Sequence, residues 1–184
     1  MKKIFFVRHC LATGQHKDAP LTQKGVKQSY QLAQFFSEQR FPIDRIISSP
    51  YLRAIDTIKP YAEQQGIAIE LDHRLEERIL SGDPIDDWFE MLAYSFVNKE
   101  FKLPGGESSH EATQRGLSVL TTIFQDHDHD HIICVSHGNL IALIIHYYDQ
   151  QFGFDGWRRL QYPDLFMMTY TDRVQSIKHI ELEI

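Results

Sequence analysis

Two short apolar segments, far apart in the chain, each end at a histidine. The first, IFFV at residues 4–7, leads into Arg8 and His9, and the second, HIICVS at residues 131–136, leads into His137. Short runs rich in Ile, Val and Phe are typical of buried strands. The carboxyl ends of parallel strands meet at one edge of a sheet, where α/β proteins place their ligand sites. If both strands are central and parallel, the two imidazoles emerge at the same edge.

An arginine between these segments is predicted to reach the same edge. Arg53 lies in SSPYLRAIDT, near the first turn of a helix that follows a short strand at 43–48. Taken alone, an Arg or His at a strand end is also explained as an incidental or solvated side chain. Together, Arg8, Arg53, His9 and His137 suit a dianion, because a guanidinium presents a planar pair of donors to two phosphoryl oxygens.

The composition indicates one globular domain over residues 1–184. Apolar residues make up 42% of the chain and charged residues 24%, so a sizeable core is expected. The net charge of −6 argues against a nucleic-acid or membrane-surface partner, and we expect a small phosphorylated metabolite instead. Two cysteines without metal-ligand spacing indicate reduced thiols and a cytoplasmic protein. Monomer and homodimer are both left open.

The order of predicted elements is that of an α/β protein with a mostly parallel sheet. Strands and helices alternate at 3–7, 21–39, 43–48, 51–65 and 67–71. A second group consists of helix 107–126, strand 131–136, helix 140–148 and a hairpin of 165–171 with 174–180. Alternating strands and helices form right-handed parallel units. We therefore expect three layers, α/β/α, with a C-terminal β-hairpin.

Residues 73–106 interrupt this order. They contain Trp88, Phe89 and the break Pro104–Gly106, and they predict a short, partly helical cap inserted at 78–106 over one edge of the sheet. We expect the aromatic side chains of this segment to form the core of the cap rather than a platform for a ligand.

A phosphoryl-transfer site needs a nucleophile and an acid as well as cations. A neutral imidazole is a competent nucleophile toward phosphorus. The free amides at the start of the helix after His137 add donors for an anion. The leaving alkoxide requires a proton from a carboxyl group or another acid within hydrogen-bond reach.

Six short motifs follow one another along residues 4–145. They are Arg8-His9; Leu21-Thr22 with Gly25; Ser48-Ser49 with Arg53-Ala54 and Thr57; Arg74-Leu75 with Glu77; Pro104-Gly105-Gly106-Glu107-Ser108; and Val135-Ser136-His137-Gly138. Each motif alone is weak, but the ordered set is specific. This set resembles the histidine phosphatase superfamily, also called the phosphoglycerate mutase-like family.

The resemblance implies a phosphatase that works through a phosphohistidine, without a metal or another cofactor. It implies that His9 is the nucleophile and that Arg8, Arg53 and His137 hold the phosphoryl group. It also implies that Glu77 protonates the leaving oxygen and then activates water.

Glu76 is the competing carboxylate for the role of the acid. The pattern Arg-Leu-x-Glu that begins at Arg74 favours Glu77. An ordinary surface ion pair of Glu77 with Arg74 or Arg78 is the alternative.

The loop after the first histidine departs from the family pattern. Cys10 stands where Gly is usual, and Ala12 and Gln15 stand where Ser or Thr and Asn are usual. Thr13 and Gln15 are expected to contact phosphate in a shifted geometry, and Gly138 matches a position whose amide contacts phosphate. Beside a cationic pocket, Cys10 is predicted to have a lowered thiol pKa and to make activity sensitive to oxidation.

The segment Asp126–His131 alternates Asp and His, and both residue types are common metal ligands. Alternating residues on a surface loop rarely close around an ion, and the chemistry above needs no metal. We expect a solvated loop between a helix and a strand.

The insertion also bears on the reaction type. Its charged residues are mostly acidic, namely Asp83, Asp86, Asp87 and Glu90 against Lys99 and Lys102. Mutases of the family carry a longer insertion with more basic residues, so hydrolysis of a small phosphomonoester is favoured. Mutase-type phosphoryl transfer and a non-catalytic module that binds a phosphorylated ligand are the alternatives.

Overall fold

A six-stranded sheet runs through the centre of the protein, in a computed structural model that describes residues 1–183. The strands are β1 (Lys2–Arg8), β2 (Arg45–Ser48), β3 (Ile69–Leu71), β4 (His131–Ser136), β5 (Asp164–Tyr170) and β6 (Val174–Ile180). The helices are α1 (Gln23–Ser37), α2 (Leu52–Gln65), α3 (Trp88–Val97), α4 (Ser109–Gln125), α5 (Gly138–Tyr148) and α6 (Phe154–Arg158), and a 3₁₀ turn covers His73–Leu75.

The strand order is β3-β2-β4-β1-β5-β6. The first four strands of this order are parallel, and β5 and β6 form an antiparallel extension beside β1. Within the parallel pair of β1 and β4, Arg8 lies opposite Ser136. Because both strands end at the same level, His9 and His137 follow at one edge of the sheet, as the sequence predicts.

Side chains of β1 pack alternately into two helical layers. Phe5 and Val7 lie in a core cluster with residues of α1 and α2, whereas Ile4 and Phe6 lie in a second cluster with residues of α3, α4 and α5. A strand buried on both faces must be apolar at successive positions, which explains the run IFFV. The predicted α/β class, its three layers and the C-terminal hairpin are confirmed.

Most predicted element ends are close to the observed ones. Thr22 caps α1, where its hydroxyl accepts a hydrogen bond from the amide of Gly25 at 2.9 Å. Ser108, rather than Ser109, caps α4. Gly66 ends α2 with a φ of 67°, a left-handed conformation that favours glycine. The chain passes through Pro60 without ending the helix there.

Several predicted starts differ from the observed ones by two residues. β2, β3, α1 and α4 begin two residues later than expected, and α5 begins two residues earlier, at Gly138 directly after the histidine. The short helix α6 was not predicted, because five residues between Gly153 and Arg159 carry too little periodicity to indicate a helix.

Residues 78–106 contain α3, and Arg78, Leu80, Trp88 and Leu92 of this segment line a cavity together with His9 at the end of β1. Leu92 and Phe96 of α3 are buried in the core cluster shared with α4 and α5. The segment closes at Gly106, where a Cβ atom would lie 2.2 Å from the carbonyl oxygen of Leu80. Within residues 1–183, no helix has both the length and the apolar character needed to cross a bilayer.

Candidate active site

His9 is the first residue after β1, and its side chain is held in a single orientation. It is 3% exposed, and its Nδ1 lies 2.7 Å from the carbonyl oxygen of Cys10. Nε of Arg53 donates to Nε2 of His9 at 3.1 Å. A carbonyl accepts and a guanidinium donates, so these two contacts assign the proton to Nδ1 and leave a lone pair on Nε2.

The same surroundings keep the His9 imidazole neutral. Burial, together with the positive charges of Arg53 and Arg8, lowers the pKa of His9 to about 3. A neutral imidazole is the nucleophilic form of histidine, and its Nε2 lone pair becomes free to react when Arg53 turns its hydrogen bond to a bound anion.

His137 lies directly against His9, with the ring centroids 5.2 Å apart. Its Nε2 is 2.8 Å from Oγ of Ser49, which also accepts a hydrogen bond from the amide of Tyr51 at 3.3 Å. The Ser49 hydroxyl can donate to Nε2 or accept from it, so this contact fixes the orientation of the His137 ring and leaves its tautomer open. The other ring nitrogen, Nδ1, is buried and has no hydrogen-bond partner within residues 1–183.

Burial also lowers the pKa of His137 well below its usual value. His9, Arg53 and Arg8 shift it further in the same direction. Both imidazoles of the pair are therefore neutral at physiological pH.

Two arginines surround the histidine pair. Nη1 of Arg8 donates to the carbonyl oxygen of Leu160 at 3.0 Å, and its guanidinium carbon lies 3.6 Å from the ring centroid of Tyr162. Nη1 of Arg53 donates to the carbonyl oxygens of Gln15 and His16, at 3.1 and 2.9 Å. In the described part of the chain, no carboxylate is hydrogen-bonded to either guanidinium.

Both guanidiniums are hydrogen-bonded to neutral partners only, and the Glu77 carboxylate acts on their charges without contacting them directly. Nε of Arg8 is also buried without a hydrogen-bond partner among residues 1–183. Buried charges in proteins are normally paired, so this arrangement favours an anionic ligand.

Glu77 brings a carboxylate to the same place. Its Oε2 accepts from the amide of Asn139 at 3.1 Å, and its Oε1 accepts from the amides of Leu140 at 3.0 Å and Arg78 at 2.9 Å. Two of these donors belong to the first turn of α5, where a helix attracts negative charge. Glu76 instead pairs with His73 at 2.6 Å and Lys17 at 3.4 Å. The structure thus brings Glu77, and not Glu76, to the histidine pair.

A cavity of about 390 Å³ opens onto these groups. It is lined by Arg8, His9, Gln15, Glu77, Arg78, Leu80, Trp88, Leu92, Asn139, Trp157 and Tyr162. Arg53 and His137 lie immediately behind His9 and are almost completely buried. The cavity is large enough for a phosphoryl group together with a small organic alcohol.

The family pattern predicted that Thr13, Gln15 and Gly138 contact phosphate, and the structure gives these three residues different surroundings. Gln15 lines the cavity. Gly138 lies against the Arg8 side chain, and a Cβ there would be 2.9 Å from Nε of Arg8. Thr13 is exposed, does not line the cavity, and donates its hydroxyl to the carbonyl oxygen of Pro20 at 3.2 Å. The structure therefore brings Gln15 and Gly138 to the group, but not Thr13.

The prediction of a reactive Cys10 is wrong. Its side chain is 0% exposed, and burial raises the pKa of its thiol to about 12, although the Thr57 hydroxyl acts in the opposite direction. Proximity in sequence to a charged site does not lower a thiol pKa when the thiol itself faces the core.

Side chains of the Asp126–His131 segment form hydrogen bonds and ion pairs with neighbouring protein groups. Asp126 accepts from Arg45 at 2.9 Å and lies 2.8 Å from Nδ1 of His129. Asp130 is exposed and lies 3.7 Å from the chain's amino terminus. Within residues 1–183, no group of three or more His, Cys, Asp or Glu side chains is placed to hold a metal ion.

Sequence reasoning missed several residues of the cavity. Asn139 is 7% exposed, and neither polar atom of its side chain has a hydrogen-bond partner in the described chain. Asn139 lies two residues after His137, and this position next to a predicted site residue could have identified it. Trp88 lines the cavity and is 48% exposed, so the expectation that it forms the core of the cap is wrong. Trp157 and Tyr162 follow α5 in a region where no motif was recognised.

Curated relatives resemble the chain along most of its length. It is 28% identical over 160 residues to a putative phosphoserine phosphatase 2 of Hydrogenobacter thermophilus, covering 79% of this chain and 77% of the relative. It is also 28% identical over 160 residues to a probable phosphoglycerate mutase GpmB of Yersinia pestis, covering 79% of this chain and 74% of the relative.

Solved structures share the fold at lower sequence identity. A mycobacterial glucosyl-3-phosphoglycerate phosphatase with inorganic phosphate aligns with a TM-score of 0.72 and 18% identity, over 100% of this chain and 98% of that one. A phosphoserine phosphatase mutant of Entamoeba histolytica aligns with a TM-score of 0.71 and 21% identity, over 96% of each chain. The family model of the histidine phosphatase superfamily (branch 1) matches residues 4–181. The chain therefore belongs to the histidine phosphatase superfamily.

Proposed function

We propose that the protein hydrolyses a small phosphomonoester through a phosphohistidine on His9. The observation that carries this proposal is the hydrogen bonding of His9. Its Nδ1 is 2.7 Å from the Cys10 carbonyl oxygen, and its Nε2 accepts from Arg53 in a cavity that also contains Glu77. A nucleophile, a cation and an acid–base group are thus gathered around one space.

The phosphoryl group binds among the donors that lack an anionic partner. Arg8, Arg53 and Nδ1 of His137 would share the charge of its oxygens, with the amide of Gly138 nearby at the start of α5. Such contacts stabilise a phosphoryl group in transfer mainly through position and charge.

The first half-reaction transfers the phosphoryl group to the enzyme. The Nε2 lone pair of His9 attacks phosphorus, so that a P–N bond forms while the ester P–O bond breaks. Glu77, protonated for this step, gives its proton to the leaving alkoxide, and the alcohol departs.

The second half-reaction restores the enzyme. The Glu77 carboxylate takes a proton from water, the water oxygen attacks phosphorus, and the P–N bond breaks. Inorganic phosphate leaves, and His9 regains its neutral form with a lone pair on Nε2. Every step uses side chains of this chain, so we expect turnover to be independent of a metal.

The surroundings of Arg78 favour hydrolysis over mutase-type transfer. Arg78 is the one basic residue of the 78–106 segment among those that line the cavity. Its Nη1 donates to Oγ of Ser95 at 2.7 Å, and its Nε and Nη2 donate to the carbonyl oxygen of Glu107 at 3.1 Å. A mutase must hold a second anionic group while its substrate reorients, and the cation that this segment contributes to the cavity is already hydrogen-bonded within the protein.

Turnover of p-nitrophenyl phosphate tests the proposal. We expect the wild type to release phosphate at an unchanged rate in the presence of a chelator, and His9→Ala to lose about 10³-fold or more in kcat. His127→Ala, a change at an exposed loop histidine, serves as the matched control. Phosphate binding without turnover by the wild type would favour the non-catalytic module. Conversion of 3-phosphoglycerate to its 2-isomer without free phosphate would favour the mutase.

A further inference from the structure

One part of the cavity is lined by the polar and charged catalytic groups, and the other part is lined by apolar side chains. Beyond the catalytic groups, its lining is largely apolar, and this part is made by Leu80, Trp88, Leu92 and Trp157. The four residues come from the loop before α3, from α3 and from α6, so the chain brings three separate segments together to build it. Trp88 is 48% exposed although it faces a cavity rather than open surface. Exposed apolar surface of this kind marks a binding site.

Further aromatic rings hold the two tryptophans in place. The ring centroids of Trp88 and Trp157 are 6.4 Å apart with an interplanar angle of 82°. Phe154 stacks on Trp157 at 5.4 Å, and Phe89 contacts Phe154 edge-to-face at 5.1 Å. The tryptophan faces are therefore positioned before any ligand arrives, which reduces the entropy lost on binding.

Apart from the catalytic groups, Arg78 is the one charged side chain among the described residues that line this cavity. It is 6% exposed, its Nη1 donates to Oγ of Ser95, and its Nε and Nη2 donate to the carbonyl oxygen of Glu107. A carboxylate or second phosphate on the substrate would therefore have to break these contacts to reach the Arg78 charge, and would lose its hydration in doing so. The side-chain amide of Asn139, which has no partner among the described residues, offers one neutral polar contact.

We propose that the site selects phosphomonoesters whose alcohol carries an uncharged aromatic group, which packs against Trp88 and Trp157. The inference rests on the proposed phosphatase function and names its substrate class. A cavity of about 390 Å³ accommodates a phosphoryl group joined through a short linker to one or two rings. The gain comes from burying apolar area against rings that already have their bound orientation.

A set of phosphomonoesters with primary alkyl leaving groups tests the selection without differences in leaving-group chemistry. The set consists of 2-phenylethyl phosphate, ethyl phosphate and O-phosphoserine. We expect kcat/KM to be at least about 10-fold higher for 2-phenylethyl phosphate than for the other two, since burying one ring against apolar surface is worth a factor of this order. A preference for O-phosphoserine would overturn the inference.

Two tryptophan variants locate the selection in the cavity. Trp88→Ala and Trp157→Ala are each expected to lower kcat/KM for 2-phenylethyl phosphate about 10-fold, and to change that for ethyl phosphate less than about 2-fold. Tyr94→Ala removes an exposed ring from the same helix outside the cavity and should leave both values unchanged. Equal losses for both substrates in the tryptophan variants would show a general structural role and overturn the inference.

Binding without turnover separates this inference from the proposed function. The chain contains two tryptophans, and both line the cavity, so intrinsic fluorescence reports directly on its occupation. We expect 3-phenylpropylphosphonate to change the emission and to bind at least about 10-fold more tightly than propylphosphonate. If the esters are not hydrolysed but this order of binding holds, the phosphatase function fails and the ligand class stands. If the esters are hydrolysed but the two phosphonates bind equally, the ligand class fails.

Discussion

The reactivity of His9 depends on where its single proton is held. The Cys10 carbonyl oxygen lies 2.7 Å from Nδ1 and Nε of Arg53 lies 3.1 Å from Nε2, so the lone pair is directed to the cationic side. His137 is oriented by a hydrogen bond between its Nε2 and the hydroxyl of Ser49, at 2.8 Å. The two histidines therefore differ in which ring nitrogen is held by the protein: both nitrogens of His9 have a contact, whereas Nδ1 of His137 has none within residues 1–183.

Glu77→Gln removes the proton that Glu77 would transfer while keeping part of its contact with α5. The glutamine oxygen can accept from the amides of Leu140 and Arg78, but its NH2 group then faces the amide of Asn139, which loses its acceptor. We expect kcat to fall about 10²- to 10³-fold for ethyl phosphate, and less for p-nitrophenyl phosphate, whose leaving group needs less protonation. The free energy of unfolding should fall by about 1–3 kcal/mol, the cost of the unpaired Asn139 amide. Steady-state kinetics and urea unfolding measure these effects.

Glu76→Gln is the matched control, because Glu76 pairs with His73 and Lys17 instead. It should retain most of the activity on both esters. A larger loss for Glu76→Gln than for Glu77→Gln would reverse the assignment of the acid.

The thiol of Cys10 should be unreactive in the folded protein. Burial raises the pKa of this thiol and of the Cys134 thiol to about 12, so both remain protonated at neutral pH. We expect a thiol reagent such as dithiobisnitrobenzoate to modify neither residue under native conditions, and dilute peroxide to leave turnover unchanged. Rapid labelling of Cys10 with loss of activity would restore the oxidation-sensitive interpretation.

Among the elements, the two strand ends are what the sequence predicted best. The apolar runs that end at His9 and His137 identify β1 and β4, since strands buried on both faces leave a continuous apolar signature. The motif after β2 likewise identified Arg53. The short α6 carries no such pattern, and its contribution of Trp157 to the cavity arises from tertiary packing that local sequence does not encode.

The loop after β1 was predicted less well for a related reason. Its position was clear from polar and breaking residues, but its side-chain directions were not. Thr13 turns to Pro20, and the backbone carbonyl of Gln15 is held by Arg53. The family pattern identified Thr13 and Gln15 as candidate phosphate ligands from their positions after His9. It did not indicate that only Gln15 lines the cavity.

Gly138→Ala tests the close contact between the start of α5 and β1. A Cβ at this position would lie 2.9 Å from Nε and 3.0 Å from Cζ of Arg8, so the guanidinium must move. We expect KM to rise about 10-fold, the cost of a displaced phosphate-binding guanidinium. The free energy of unfolding should change by less than about 1 kcal/mol, because alanine is favoured over glycine in a helix.

Gly153→Ala provides the comparison, since no atom lies within 4 Å of the added Cβ. Its kinetics should match those of the wild type. Indistinguishable KM values for the Gly138 and Gly153 variants would mean that the Arg8 contact does not position the phosphoryl group.

For the whole molecule, two neutral buried histidines couple the site to stability in acid. Burial lowers the pKa of His9 to about 3 and that of His137 well below its usual value, whereas both titrate near 6.5 in the unfolded chain. Below pH 6.5 the unfolded chain therefore binds protons that the folded chain does not, and stability falls as the pH decreases. At pH 5 the expected cost is about 2 kcal/mol for His9, and His137 adds a cost of the same sign.

Urea unfolding of the wild type and His9→Asn at pH 7 and pH 5 measures this cost. The variant should lose about 2 kcal/mol less than the wild type between the two pH values. The same loss in both proteins would show that His9 is not held neutral in the folded state.

The chemical state of residue 9 during turnover is the most direct test of the account. A reaction with 2-phenylethyl phosphate, stopped in base to preserve an acid-labile phosphoramidate, should contain a phosphoryl group on the peptide with His9. Its amount should rise before steady state and decay when substrate is exhausted. Phosphoryl transfer to a different residue, or a full burst of product with residue 9 unmodified, would contradict the account.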